Sequence, residues 1–160
     1  MKTIVVFFSM SGNTKLIAES IAKQLGADTL ELKLKKPLPS KGFGMYFFGG
    51  KSTIFKETPE LANEKTDLSL YDNLVFATPV WAGGYASPLN TFISQNPVSG
   101  KKVAIAVCHA GGGADKCVAA LKKALSGNQF VGQIDFVNPL KGKTDESTLA
   151  AKNWAQGLSF

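Results

Sequence analysis

Three segments of the chain, Thr3–Phe8, Asn73–Thr78 and Lys102–Cys108, are nearly continuous in Val, Ile, Leu, Ala and Phe. Short runs this apolar are what strands covered on both faces require, so they predict the middle of a parallel sheet. Two other segments alternate. Leu30, Leu32 and Leu34 are separated by Glu31 and Lys33, and Ile134 and Phe136 by Asp135, which predicts half-exposed edge strands. Lys33, Lys35 and Pro37 are residue types that discourage edge-to-edge pairing, so the basic run Lys33–Lys36 has a structural reading that needs no ligand.

Between these strands the apolar period changes to that of a helix. Lys15–Leu25 carries Leu16, Ile17, Ile21 and Leu25 and stops at Gly26, and Ser87-Pro88 opens a second helix presenting Leu89, Phe92 and Ile93. Asp115–Leu125 groups Val118, Leu121 and Leu125 ahead of Gly127, and Asp145–Leu158 carries Leu149, Trp154 and Leu158. Each predicts one apolar face turned inward. Strands alternating with helices, with edges at the second and fifth strands, imply an α/β sandwich of three layers. Its core is a five-stranded parallel sheet of order 2-1-3-4-5 with helices on both faces, and its ligand crevice lies beyond the carboxyl ends of the first and third strands.

Length and charge narrow the picture. A chain of 160 residues fits a single domain, 1–160, able to bury roughly 70% of its unfolded surface. Cys108 and Cys117 have neither a pairing framework nor a zinc spacing, so both read as small buried hydrophobes in a reducing compartment, the cytoplasm. Lys2 followed by Thr3–Met10 is short for a signal peptide and lacks a small-residue cleavage site, so a core strand is the better reading. No segment reaches the apolar length of a membrane span. The net charge of +6 comes from 18 lysines without a single arginine, and the excess lies in residues 1–56. A basic surface without arginine argues against sequence-reading nucleic-acid binding, while a solvated lysine face attracts acidic surfaces weakly.

The chemistry concentrates in the turns at the predicted carboxyl edge. Ser9-Met10-Ser11-Gly12-Asn13-Thr14 stands between the first strand and the first helix. A strand ending there aims the free N–H groups of the next helix at one spot, where the dipole favours an anion. Three hydroxyls add donors and Gly12 lets the backbone come close. A P-loop is excluded because Lys15 follows Thr14 rather than preceding it, and G-x-G-x-x-G is absent. Taken alone, the segment is equally a helix start capped by Ser, Asn and Thr. Two more loops follow, Thr78-Pro79-Val80-Trp81-Ala82-Gly83 and Cys108-His109-Ala110-Gly111-Gly112-Gly113, after the third and fourth strands. Trp81 alone could be a core aromatic and Gly111–Gly113 a flexible helix approach; three such loops at one edge point to a site.

The first loop resembles the phosphate-binding loop [ST]-x-[ST]-G-x-T of the flavodoxin family, and Thr78–Gly83 resembles its T-P-V-W-x-G pattern. The resemblance spans Lys2 to about Phe136 and is to the short-chain type, without an insertion in the fifth strand. It implies FMN as cofactor, with its phosphate on residues 9–14, its ring stacked on Trp81 and its pyrimidine side against the main chain of Cys108–Gly113. It also implies low-potential electron transfer between redox partners. A stacked ring kept from water, with a carbonyl near Ala82 or Gly83 to accept a proton-bearing ring nitrogen, separates the two one-electron steps. A cradle free of lysine avoids favouring the fully reduced anion.

The chain departs from the family in two places. Carriers of this kind are usually acidic, so a basic chain implies a partner with an acidic docking surface. Lys41–Pro59, where a crossover helix is expected, is interrupted by Gly42, Gly44, Gly49 and Gly50 among Phe43, Tyr46, Phe47, Phe48 and Phe55. That pattern predicts a short or broken helix packed on the sheet, or a lid that brings Tyr46 or Phe47 to the flavin. His109, the single histidine, is a candidate proton donor to a reduced flavin or a quinone. It reads equally as an ordinary loop residue. The alternative to a carrier is the related reductase class, a dimeric FMN-dependent NAD(P)H oxidoreductase acting on a quinone or other small acceptor. A flavin-free receiver module is disfavoured, because Ser9 and Ser11 stand where that module needs acids.

Overall fold

The computed structural model describes residues 1–37, 51 and 57–160. The first strand is β1 (Thr3–Phe7), followed by α1 (Asn13–Leu25) and β2 (Asp28–Glu31). A single 3-10 turn, Leu68–Leu70, precedes β3 (Asn73–Trp81), the two-residue β4 (Gly84–Tyr85), α2 (Pro88–Gln95) and β5 (Lys102–His109). The chain ends with α3 (Ala114–Ala124), β6 (Gln129–Val137) and α4 (Thr144–Gln156). The sheet order is β2-β1-β3-β5-β6, all parallel, with β4 pairing antiparallel to the end of β3. Without that hairpin partner the order is the expected 2-1-3-4-5.

The three continuous apolar runs form the centre of the sheet because each can bury both faces. Even-numbered residues of β1 and β3 and odd-numbered ones of β5 (Ile4, Val6, Leu74, Phe76, Val103, Ile105, Val107) share a core with Leu89, Phe92, Val118 and Leu121. Fully buried Phe76 and Leu121 each contribute about 1.5–3 kcal/mol of burial. The opposite face joins Val5, Phe7, Ala77, Ala104 and Ala106 to Ile17, Ile21, Ala151 and Ala155. Alanines line this face on both the sheet and the helices, so α1 and α4 can approach closely.

The buried face of α4 corrects one expectation. Leu149, read as part of the inward face of its helix, is 60% exposed. The buried stripe of α4 is Ser147, Ala151 and Ala155, and Leu149, two residues on from Ser147, falls about 200° round the helix, on its outer side.

Strand limits differ in two places. Leu30, Leu32 and Leu34 do not form one strand. The ladder with β1 ends at Glu31, the Leu32 N–H still reaches the Phe7 carbonyl at 2.7 Å, and Leu34 then bridges antiparallel to Leu61. Lys35 pairs with Glu60 beside that bridge, so part of the basic run is neutralised locally. The third strand, expected to stop at Thr78, continues to Trp81 because its end folds back on itself as a hairpin. β6 runs unbroken through Ile134 and Phe136 apart from a register shift opposite Val103/Ala104. Most of Lys41–Pro59, with Tyr46 and Phe47, lies outside the described residues.

At the amino end of the sheet, Lys2, Asp28 and Tyr71 form a cluster. Lys2 Nζ lies 2.8 Å from Asp28 Oδ2 and the Tyr71 hydroxyl donates to the same oxygen at 2.8 Å. The hydrogen bond from Lys2, then that from Tyr71, holds the Asp28 carboxyl below the usual carboxylate range. Among the described residues no helix is long and apolar enough to cross a membrane.

Candidate functional site

All three loops lie at the carboxyl ends of β1, β3 and β5, which are adjacent in the sheet. Gly12 caps α1 at φ +89 without any side-chain cap. Ser9 supplies the only capping bond here among the described residues, its Oγ accepting from the Lys15 N–H at 3.1 Å. The N–H groups of Asn13 and Thr14 have no acceptor among the described residues, so the first turn presents open donors. Ser11 is exposed and accepts from Asn13 Nδ2 at 3.0 Å, which keeps its own O–H free to donate. Met10 is half-buried against the core. Thr14 is 1% exposed and turns inward, beside Cys108.

The second loop is built on Thr78. Its buried Oγ1 accepts from the Ala86 N–H at 3.0 Å and donates to the Pro79 carbonyl at 2.9 Å, tying the base of the hairpin. Pro79 sits opposite Cys108, Val80 opposite Tyr85 and Trp81 opposite Gly84. The tip consists of Ala82 at φ +48 and Gly83 at φ +76, the double left-handed geometry that a two-residue hairpin demands. Ala82 takes it without glycine's freedom, at a cost of roughly 1–2 kcal/mol. Trp81 is half-buried and meets Phe8 edge-on, ring centres 5.4 Å apart at 82°, so the ring is held at the mouth between the first and second loops.

In the third loop, Ala110, Gly111, Gly112 and Gly113 are exposed. Gly113 caps α3 at φ +82, again without a side-chain cap. A Cβ on Gly113 would lie 3.1 Å from Val80 Cγ1 and 3.2 Å from Gly83 Cα, so the second and third loops touch through bare backbone. His109 Nε2 is 2.9 Å from Asp135 Oδ2, the histidine side chain is 9% exposed, and its buried Nδ1 has no partner among the described residues. Burial pushes the Cys108 and Cys117 thiols up to about 12, a hydrogen bond with Thr14 opposing this at Cys108. Both are free and buried.

A fourth wall escaped the sequence reading. The Asn138 N–H donates to the His109 carbonyl at 2.9 Å, and the Leu140 N–H donates to Asn13 Oδ1 at 2.9 Å. The loop after β6 thereby braces both the first and third loops. Asn138-Pro139 is a turn signal, but nothing in it says which loops it touches. Lys116, on α3, is also brought to the site: its Cδ and Cβ lie 3.7 and 3.9 Å from where a Gly83 side chain would begin. Among the described residues no cluster of His, Cys, Asp or Glu could hold a metal.

Open helix donors at one corner, an aromatic at the mouth and glycine backbones beside it fit a ligand with an anionic head and a flat ring. The family model for flavodoxins matches residues 2–154. This chain belongs to the flavodoxin family. Among solved structures, it superposes on a flavoprotein from Lactobacillus acidophilus NCFM crystallised with FMN, with TM-score 0.74 and 23% identity. That match covers 89% of this chain and 98% of the other. A flavoprotein from Bacteroides eggerthii DSM 20697 gives TM-score 0.78 at 19% identity, covering 99% and 98%. An oxidised Flavodoxin 2 from Bacillus cereus gives 0.57 at 18% identity, covering 98% and 99%. At such identities these likenesses concern the fold, which is that of a flavodoxin.

Proposed function

We propose that this protein binds FMN at the three loops and transfers electrons between redox partners. The observation that carries the reading is the pair of glycine-capped helices, α1 and α3, which start beside the Trp81 loop at one sheet edge, the Asn13 and Thr14 N–H groups of α1 being open among the described residues. The residues fit the cofactor by type: N–H and hydroxyl donors on Ser9–Thr14 for a phosphate, Trp81 for a ring face, and main chain of Thr78–Gly83 and Cys108–Gly113 for the ring edge. Bound there, FMN supplies one- or two-electron chemistry, which the protein tunes rather than performs. The first turn of α1 binds and orients the phosphate by charge-assisted donation. Trp81 orients the ring and excludes water from one face. Gly83 and Gly113 keep the two ring-side loops at backbone contact, and Asn13 and Asn138 lock the cradle to its neighbours.

A single domain working in the cytoplasm accords with the two free buried thiols, and the lysine excess suits a redox partner with an acidic docking surface. A second reading, an FMN-dependent NAD(P)H oxidoreductase passing electrons to a quinone or other small acceptor, is favoured by His109. Its imidazole, paired with Asp135 beside the third loop, can hold a proton at Nε2 or Nδ1. Anaerobic photoreduction of the FMN-loaded protein separates the two. Reduction in two resolved one-electron steps supports the carrier; a single two-electron step with steady NAD(P)H oxidation supports the reductase.

A further inference from the structure

The contact between Gly83 and Gly113 sets α3 directly against the hairpin tip, and its third residue is Lys116. The methylenes of Lys116 run across Gly83, where the absence of a side chain leaves only backbone beneath them. Lysine commonly lays its stem on a surface and keeps its ammonium in water. Some lysines of the molecule have partners: Lys15 is 3.1 Å from Glu31, and Lys122 donates to Gln133 at 2.6 Å. Among the described residues, no hydrogen bond or ion pair engages the Lys116 ammonium. The stem of a lysine without an ionic partner is thus laid on the turn assigned to the ring of the cofactor.

We propose that Lys116 is a positioning charge that sets the reduction potential: it favours the reduced flavin over the oxidised one. This inference rests on the FMN reading above. Uptake of two electrons and one proton turns the neutral isoalloxazine into an anion, so a nearby cation stabilises the product and leaves the reactant almost unaffected. The positive end of α3 acts in the same sense.

The test compares apoprotein binding of oxidised FMN with binding of dithionite-reduced FMN at low ionic strength, in wild type, Lys116→Gln and Lys116→Arg. Lys116→Gln leaves Asp115 in place, so one charge is read. It is expected to raise the Kd for reduced FMN about tenfold relative to that for oxidised FMN, which lowers the two-electron midpoint by about 30 mV. Lys116→Arg should keep the wild-type ratio, and high salt should shrink the difference because the charge is exposed. Urea unfolding of the apoproteins at the wild-type midpoint shows that the variants are folded. An unchanged ratio in Lys116→Gln, or Lys116→Arg behaving like Lys116→Gln, overturns the role of Lys116. Wild-type apoprotein that binds FMN in neither redox state overturns the cofactor reading itself.

Discussion

Replacing Gly113 by alanine probes the junction of the two ring-side loops. At φ +82 an alanine costs about 1–2 kcal/mol in backbone strain. Its Cβ would lie 3.1 Å from Val80 Cγ1 and 3.2 Å from the Gly83 Cα, and since the second is backbone, the hairpin tip must move. Overpacking of this kind costs about 1–3 kcal/mol. The two effects together predict a loss of about 3 kcal/mol, or a fall in Tm of about 6–12 °C for a chain of this size. Gly112 is the matched control: its φ is not positive and nothing lies within 4 Å of its Cβ position. Gly112→Ala should be neutral or slightly stabilising, by up to about 1 kcal/mol, through the unfolded state. Urea unfolding of the apoprotein measures both. FMN titration should then show weaker binding in Gly113→Ala, because a displaced Gly83 opens the ring site. If the two variants differ by less than about 0.5 kcal/mol, the loops are not held at backbone contact and the site geometry described here is wrong.

Further outcomes follow from other features. Trp81→Ala should weaken FMN binding at least about tenfold, or about 1.4 kcal/mol, with Trp81→Phe intermediate; equal affinity in all three proteins would remove Trp81 from the ring site. Cys108 and Cys117, buried and pushed to about 12, should resist a thiol reagent at pH 8 in the native protein and react fully in denaturant. Rapid native labelling would contradict their burial. Asp28 has its pKa lowered, chiefly by the hydrogen bond from Lys2, so its contribution is present above the unfolded value near 3.8 and is lost as pH falls through the folded value. Asp28→Asn should therefore flatten the acid side of the stability profile below about pH 4, and an unchanged profile would dismiss the cluster as a source of acid sensitivity.

Local signals carried the parts of the fold that depend on neighbours in sequence. Continuous apolar runs gave β1, β3 and β5, Gly26 gave the end of α1, and Pro88 gave the start of α2, since each acts within its own turn or strand. What the sequence concealed depends on contacts between distant segments. Leu34 left the strand pattern because Leu61 pairs with it, and Leu149 faces solvent because α4 turns Ser147, Ala151 and Ala155 to its neighbours instead. Glycines at 12 and 113 could be read as permissive, but that both cap helices, and that the first donors of α1 stay open among the described residues, required the backbone. Asn138, Leu140 and Lys116 reach the site from loops and helices far along the chain, and no motif marks such a meeting.

FMN and riboflavin differ only by the phosphate, so titrating the apoprotein with each, by flavin fluorescence and calorimetry, isolates the anion cradle on α1. One FMN should bind per chain, at least about hundredfold more tightly than riboflavin, as two charge-assisted donors at 1.5–3 kcal/mol each imply. In Gly12→Ala that preference should collapse, because Gly12 sits at φ +89 with Leu140 Cδ1 only 3.2 Å from its Cβ position. Equal affinity for FMN and riboflavin, or no stoichiometric binding of either, would contradict a phosphate cradle at residues 9–14.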